Sequence, residues 1–81
     1  MLVKSVMFRK VRPIHPGEII RDILEERNIS INNLYLNEIL EGKRSITFLW
    51  AKEIEKELGI STQLLLNLQR KVDIWDSLYD N

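Results

Sequence analysis

The stretch from Ile31 to Thr47, I-N-N-L-Y-L-N-E-I-L-E-G-K-R-S-I-T, constrains this chain more than any other. Gly42 is suited to a left-handed helix stop, Lys43-Arg44-Ser45 form a basic turn, and Thr47 caps a new helix. Ahead of Gly42 the apolar residues fall into two groups. At about 100° per residue, Ile31, Leu34 and Tyr35 share one direction. Leu36, Ile39 and Leu40 share another, roughly 130° away. Two coherent stripes so far out of phase are the pattern of two helices joined with their turn removed. Either the gene has lost that turn, or residues belong between Tyr35 and Leu36 that the sequence does not carry. The second account is preferred, because a direct bond leaves two helices no room to reverse. It predicts a Tyr35–Leu36 Cα separation far above the about 3.8 Å of a trans peptide.

The flanking elements are read from caps and spacing. I-H-P-G-E-I-I opens the first, with His15 at the cap, Pro16 at the first helical position and Glu18 three residues after the cap. Ile19, Ile20, Ile23 and Leu24 form a stripe with Arg21, Glu25, Glu26 and Arg27 outside it, which predicts a helix over residues 16–27 ending near Asn28. Ser30 is the candidate cap of a second helix. After Thr47, Ala51, Ile54 and Leu58 keep helical spacing up to Gly59. Ser61 caps a last helix in which Leu65, Leu68, Val72 and Trp75 keep that spacing to about Ser77. The expected fold is all-α, with four or five helices.

At 81 residues the chain is one small domain, near the size at which a single core only just suffices. It divides into a basic N-terminal arm over residues 1–12 and a helical domain over residues 13–81. Lys4, Arg9, Lys10 and Arg12 stand in the first sixteen residues with no acid, and Asp73, Asp76 and Asp80 in the last nine with no base. Leu2, Val3, Val6, Met7, Phe8 and Val11 show no helical period and fit an extended segment or a docked tail. Two readings of the arm stand side by side: a solvated terminus, or a cationic segment held by phosphates or an acidic partner.

Composition removes several functions. There is no cysteine and one histidine, so thiolate sites and a zinc centre are not expected. No apolar run approaches the roughly 20 residues that span a bilayer, and the N-terminus is too charged for a signal peptide. A cytoplasmic protein with no membrane partner is the expectation. The formal net charge of zero weakens a nucleic-acid role without refuting it, since a local basic face suffices.

His15 is read as a cap rather than a catalytic base, having no nucleophile or second ligand to work with. Glu25 with Glu26, and Glu53 with Glu55 and Glu57, stand one or two apart and do not face one another on a helix. Gly17, Gly42 and Gly59 are accounted for by one helix start and two stops, so no glycine loop cradles a phosphate. No enzyme, cofactor or small-molecule substrate is expected. The basic turn has two readings: Lys43, Arg44 and Ser45 hold a DNA phosphate, or they neutralise the carbonyl end of the preceding helix. The last helix is also ambiguous. Leu64, Leu65, Leu66, Leu68, Val72, Ile74 and Trp75 exceed one core face, which favours packing on a second copy over burial within the monomer.

Three segments carry a resemblance: P-I-H-P-G-E-I-I-R-D-I-L-E-E-R-N-I-S-I-N-N-L, then E-I-L-E-G-K-R-S-I-T, then L-G-I-S-T-Q-L-L-L-N-L-Q-R-K-V-D-I-W-D. They resemble HigA-type antitoxins, the virulence-associated protein I group, which are helix-turn-helix proteins of the phage-repressor class; the resemblance covers residues 12–77. The resemblance implies a homodimer that neutralises a ribosome-dependent, mRNA-cleaving toxin of the HigB/RelE kind. It also implies repression of the operon through double-stranded operator DNA. Carried onto this chain, the DNA-binding positions are Ser30, Asn32 and Asn33 at the start of the second helix, Asn37 in the reading helix, and Lys43, Arg44 and Ser45 in the turn. Leu65, Leu68, Val72 and Trp75 are the expected dimer interface.

The chain departs from that pattern in three places. Phe48 and Thr62 stand where the family has proline after a cap, which are minor changes. After Leu34 roughly ten residues are absent, those that finish the second helix and begin the reading helix. Base-reading side chains come mainly from the start of such a helix, so none is carried over. The rival function is therefore a protein-interaction module, antitoxin-like but without operator binding. An ordinary peptide bond between Tyr35 and Leu36 favours it.

Overall fold

The computed structural model describes residues 12–79. The expected basic arm, except Arg12, lies outside the described residues, as does Asp80. Among the described residues the fold is all-α, with four helices: α1 Pro16–Glu26, α2 Leu34–Leu40, α3 Phe48–Leu58 and α4 Thr62–Tyr79. α1 packs on both α2 and α4, and α3 packs on α4. One core joins them, built from Ile20 and Leu24 of α1, Leu36, Ile39 and Leu40 of α2, Ala51, Ile54 and Leu58 of α3, and Leu65 of α4.

Local chemistry sets the helix ends. The Gly17 N–H donates to His15 Nδ1 at 2.9 Å and the His15 N–H to the Glu18 carboxylate at 3.2 Å, the reciprocal box the sequence predicts. Thr47 Oγ1 accepts from the Trp50 N–H and Ser61 Oγ from the Leu64 N–H, each at 3.2 Å. Gly42 and Gly59 close α2 and α3 with φ of 76° and 80°. Thr62 donates its hydroxyl to the Glu55 carboxylate at 2.6 Å and ties α4 to α3. That bond holds the Glu55 carboxyl below the usual range.

The expected break between Tyr35 and Leu36 is overturned. α2 runs unbroken through both residues, with the Asn37 N–H bonded to the Asn33 carbonyl at 2.9 Å. The chain reverses by other means. Asn28 adopts a left-handed φ of 58°, its N–H bonds the Glu25 carbonyl, and the Ile29 N–H bonds the Leu24 carbonyl. That pair of bonds ends α1 in a Schellman motif on asparagine. Residues 29–33 are then non-helical, and five residues in extended form reach about 16 Å, enough to bring the chain back.

The two apolar groups are out of phase because Ile31 is not in a helix at all. Asn33, not Ser30, caps α2, its side chain accepting from the Leu36 N–H at 2.9 Å. Leu34 then points outward, 78% exposed, and Tyr35 lies on the flank.

Gly17 does more than start a helix. A Cβ there would collide with the Ile39 carbonyl oxygen and stand 2.8 Å from its carbon. The first turn of α1 therefore crosses the last turn of α2 backbone against backbone.

Candidate nucleic-acid interface

The turn Gly42–Ile46, part of the expected interface, is held from three sides. From α2, the Gly42 N–H bonds the Ile39 carbonyl at 3.0 Å and the Lys43 N–H the Glu38 carbonyl at 2.9 Å. From the cap of α1, the buried His15 ring lies against Gly42, where a Cβ would stand 3.9 Å from the ring. From α4, the buried Gln69 accepts the Ile46 N–H on Oε1 at 2.8 Å and donates from Nε2 to Asp73 at 2.9 Å. Sequence reasoning missed Gln69, although it shares the core face of α4 with Leu65 and Val72 at spacings of four and three.

The cations of the turn face solvent but are engaged with acids of α2. Arg44 Nε donates to Glu38 at 2.7 Å, and its guanidinium carbon lies 4.3 Å from the centre of the Tyr35 ring. Tyr35 in turn stacks on Trp50, centroids 6.0 Å apart and planes 15° off parallel. The bond to Glu38 holds the Arg44 pKa above its ordinary value. Lys43 pairs with Glu41 at 3.1 Å. Exposed pairs of this kind are weak, about 0–1 kcal/mol in general, so either cation can exchange its carboxylate for a phosphate.

The other expected contacts are scattered. Ser30 and Asn32 are exposed in the segment before α2, Asn33 is committed to its cap, Asn37 is half-buried, and Ser45 is exposed beside Arg44. With only seven residues, α2 has no polar first turn of the kind that reads bases.

The residues of the expected dimer interface differ in exposure within the monomer. Leu65 and Val72 are 0% and 1% exposed, inside the monomer, and Leu68 and Trp75 are half-buried. At about 100° per residue, Leu64, Leu68, Trp75 and Leu78 form a stripe roughly a quarter-turn from that core face. Leu64 and Leu78 are 45% and 66% exposed.

Burial first, and then the nearby Arg12 charge, push the His15 pKa below its ordinary 6.5. The folded protein thus binds fewer protons than the unfolded chain as pH drops. Stability is fully present above about 6.5 and falls as His15 protonates below it. Asp76, lowered by its bond to Arg12, acts only below its ordinary 3.8, outside this window. The melting temperature should therefore decline from pH 7 to 5 in the parent and much less in His15→Asn, which keeps a capping oxygen without a titrating ring. Parallel declines would assign the effect elsewhere.

Among the described residues no group of three or more His, Cys, Asp or Glu is placed to hold a metal, and no helix is long and apolar enough to cross a membrane.

Two solved structures are similar to this chain. A protein from Nostoc punctiforme described as an antidote protein of a plasmid maintenance system superposes with a TM-score of 0.78, at 43% identity, over 86% of this chain and 87% of that one. PA4674 from Pseudomonas aeruginosa, solved in complex with its 18-base-pair operator DNA, superposes with a TM-score of 0.75, at 30% identity, over 88% and 87%. No protein-family model and no curated protein matches the chain.

Proposed function

We propose a function from one premise: this chain belongs to the family of plasmid-maintenance antidote proteins, the antitoxins. It is the antitoxin of a type II pair of the HigA kind, neutralises a HigB/RelE-like toxin that cleaves mRNA, and represses its own operon in the cytoplasm. It acts by binding and performs no catalysis. The observation that carries the DNA half is the likeness over most of the chain to a protein held on its operator. The basic turn fits that role: two solvent-facing cations and a hydroxyl, on a backbone fixed by His15 and Gln69, suit a phosphate contact that sets register. Two copies join through the outer stripe of α4, Leu64, Leu68, Trp75 and Leu78, which supplies the surplus apolar surface. A chain that sediments as a monomer at high concentration removes that part of the reading.

The unbroken, seven-residue α2 favours a second reading, the interaction module without operator binding. Its cations already have carboxylate partners and its first residue is an exposed leucine. Binding to the DNA upstream of the gene, measured against salt, separates the two. Operator binding through phosphates weakens steeply as salt rises. Lys43→Ala or Arg44→Ala should each lower affinity for all sequences by about fivefold near physiological salt and flatten the salt slope by about one unit. Parental affinity and slope in both variants would return the turn to a structural role. No sequence preference in the parent would leave the interaction module standing.

A further inference from the structure

The return of the chain through residues 29–33 leaves one face of α3 without a helix over it. A groove of about 250 Å³ opens there, floored by Leu24, Leu36, Ile54 and Leu58. Trp50 forms one wall, and Glu53 and Glu57 stand at its edge. The two carboxylates are four residues apart and so share a helix face, where like charges repel. Among the described residues neither is in an ion pair. The groove therefore asks for an occupant that is apolar and cationic together.

One segment of this chain has that chemistry. Residues 1–11, M-L-V-K-S-V-M-F-R-K-V, interleave Leu2, Val6, Met7 and Phe8 with Lys4, Arg9 and Lys10, and contain no acid. We propose that this segment seats in the groove of its own molecule, its apolar side chains on the floor and its cations on Glu53 and Glu57. The reach is sufficient. Arg12 is anchored to Asp76 by two hydrogen bonds, 2.8 and 3.0 Å, just ahead of α1. Eleven extended residues span up to about 36 Å, whereas α1 itself is only about 16 Å long. Seating covers Trp50 and brings positive charge beside Leu36 in the first turn of α2, next to a turn whose own cations are engaged by Glu38 and Glu41. It does not depend on DNA binding.

Trp50 reports occupancy directly. In a full-length Trp75→Phe background it is the one remaining tryptophan, and acrylamide, being neutral, reads its accessibility without responding to charge. Reversing the rim (Glu53→Lys with Glu57→Lys) should raise quenching, as should reversing the segment (Lys4→Glu, Arg9→Glu and Lys10→Glu). Loss of about two exposed ion pairs corresponds to roughly a fivefold shift in the seated-to-open ratio. The chain carrying both reversals should regain protection, at every concentration alike, with unchanged helicity throughout. Parental quenching in the single-side reversals, or no rescue in the combined chain, overturns the proposal and leaves the groove to another partner. Protection that is lost on dilution overturns it in favour of the segment from a second copy.

Discussion

Gly17→Ala is expected to destabilise the protein by about 3 kcal/mol, the upper end of the usual overpacking cost. The sign is informative because helix propensity alone predicts the opposite. Within an unstrained helix, glycine to alanine normally stabilises by about 0.5–1 kcal/mol. Here the added methyl would meet the Ile39 carbonyl oxygen and stand 2.8 Å from its carbon and 3.0 Å from Leu40 Cα, all backbone. No rotamer change relieves that contact, so α1 and α2 must part. Ile20, Ile39 and Leu40, each 8% exposed or less, then lose the contacts that pack α2 on α1. Parting also moves the basic turn, because α2 carries Gly42 at its end. Urea unfolding monitored by circular dichroism reads the loss. A Gly17→Ala chain within about 0.5 kcal/mol of the parent, the range of ordinary surface substitutions, would show that the crossing yields without strain.

What the sequence revealed divides along the range of the interactions. The caps at His15, Thr47 and Ser61 and the stops at Gly42 and Gly59 are decided within four residues, and each was legible. Gly17 was read only as part of a helix start, since its neighbour is the backbone of Ile39, twenty-two positions away, and no pattern in the sequence announces it. The α1–α2 return is not legible in the apolar spacing, because Ile31 lies outside any helix and its phase carries no information. The cap the structure uses, Asn33, stands three residues after Ser30, the only cap expected from the sequence for that helix. In α4 the apolar surplus was legible but its division was not. Leu65 and Val72 point into the core, whereas Leu64 and Leu78 point out, and two stripes a quarter-turn apart cannot be ranked by spacing alone. The candidate interface shows the same division. Lys43 and Arg44 were visible as a basic turn, but their engagement by Glu41 and Glu38 depends on α2 being a single short helix.

Gln69→Leu is expected to cost about 1–3 kcal/mol, the usual penalty for leaving a buried donor without a partner. Ile46 is 4% exposed, and its N–H has the Gln69 side chain as its acceptor at 2.8 Å. Leucine fills similar space but accepts nothing, so the turn must either lose the bond or shift Ile46 towards water. Shifting it moves Ser45 and Arg44 with it, and the effect should therefore reach DNA as well as stability. The expected result is a folded chain with faster amide exchange at Ile46 and weaker operator binding. Gln69→Glu offers a sharper check. Its carboxylate can accept from Ile46, but it faces the Asp73 carboxylate where Gln69 Nε2 now donates at 2.9 Å. Two carboxylates sharing that site disfavour double ionisation, so one binds a proton more readily in the folded state. Stability of this variant relative to the parent should therefore rise as pH falls from 7 towards 5, offsetting the decline set by His15. A Gln69→Leu chain with parental stability and parental Ile46 exchange would mean that α4 does not hold the turn.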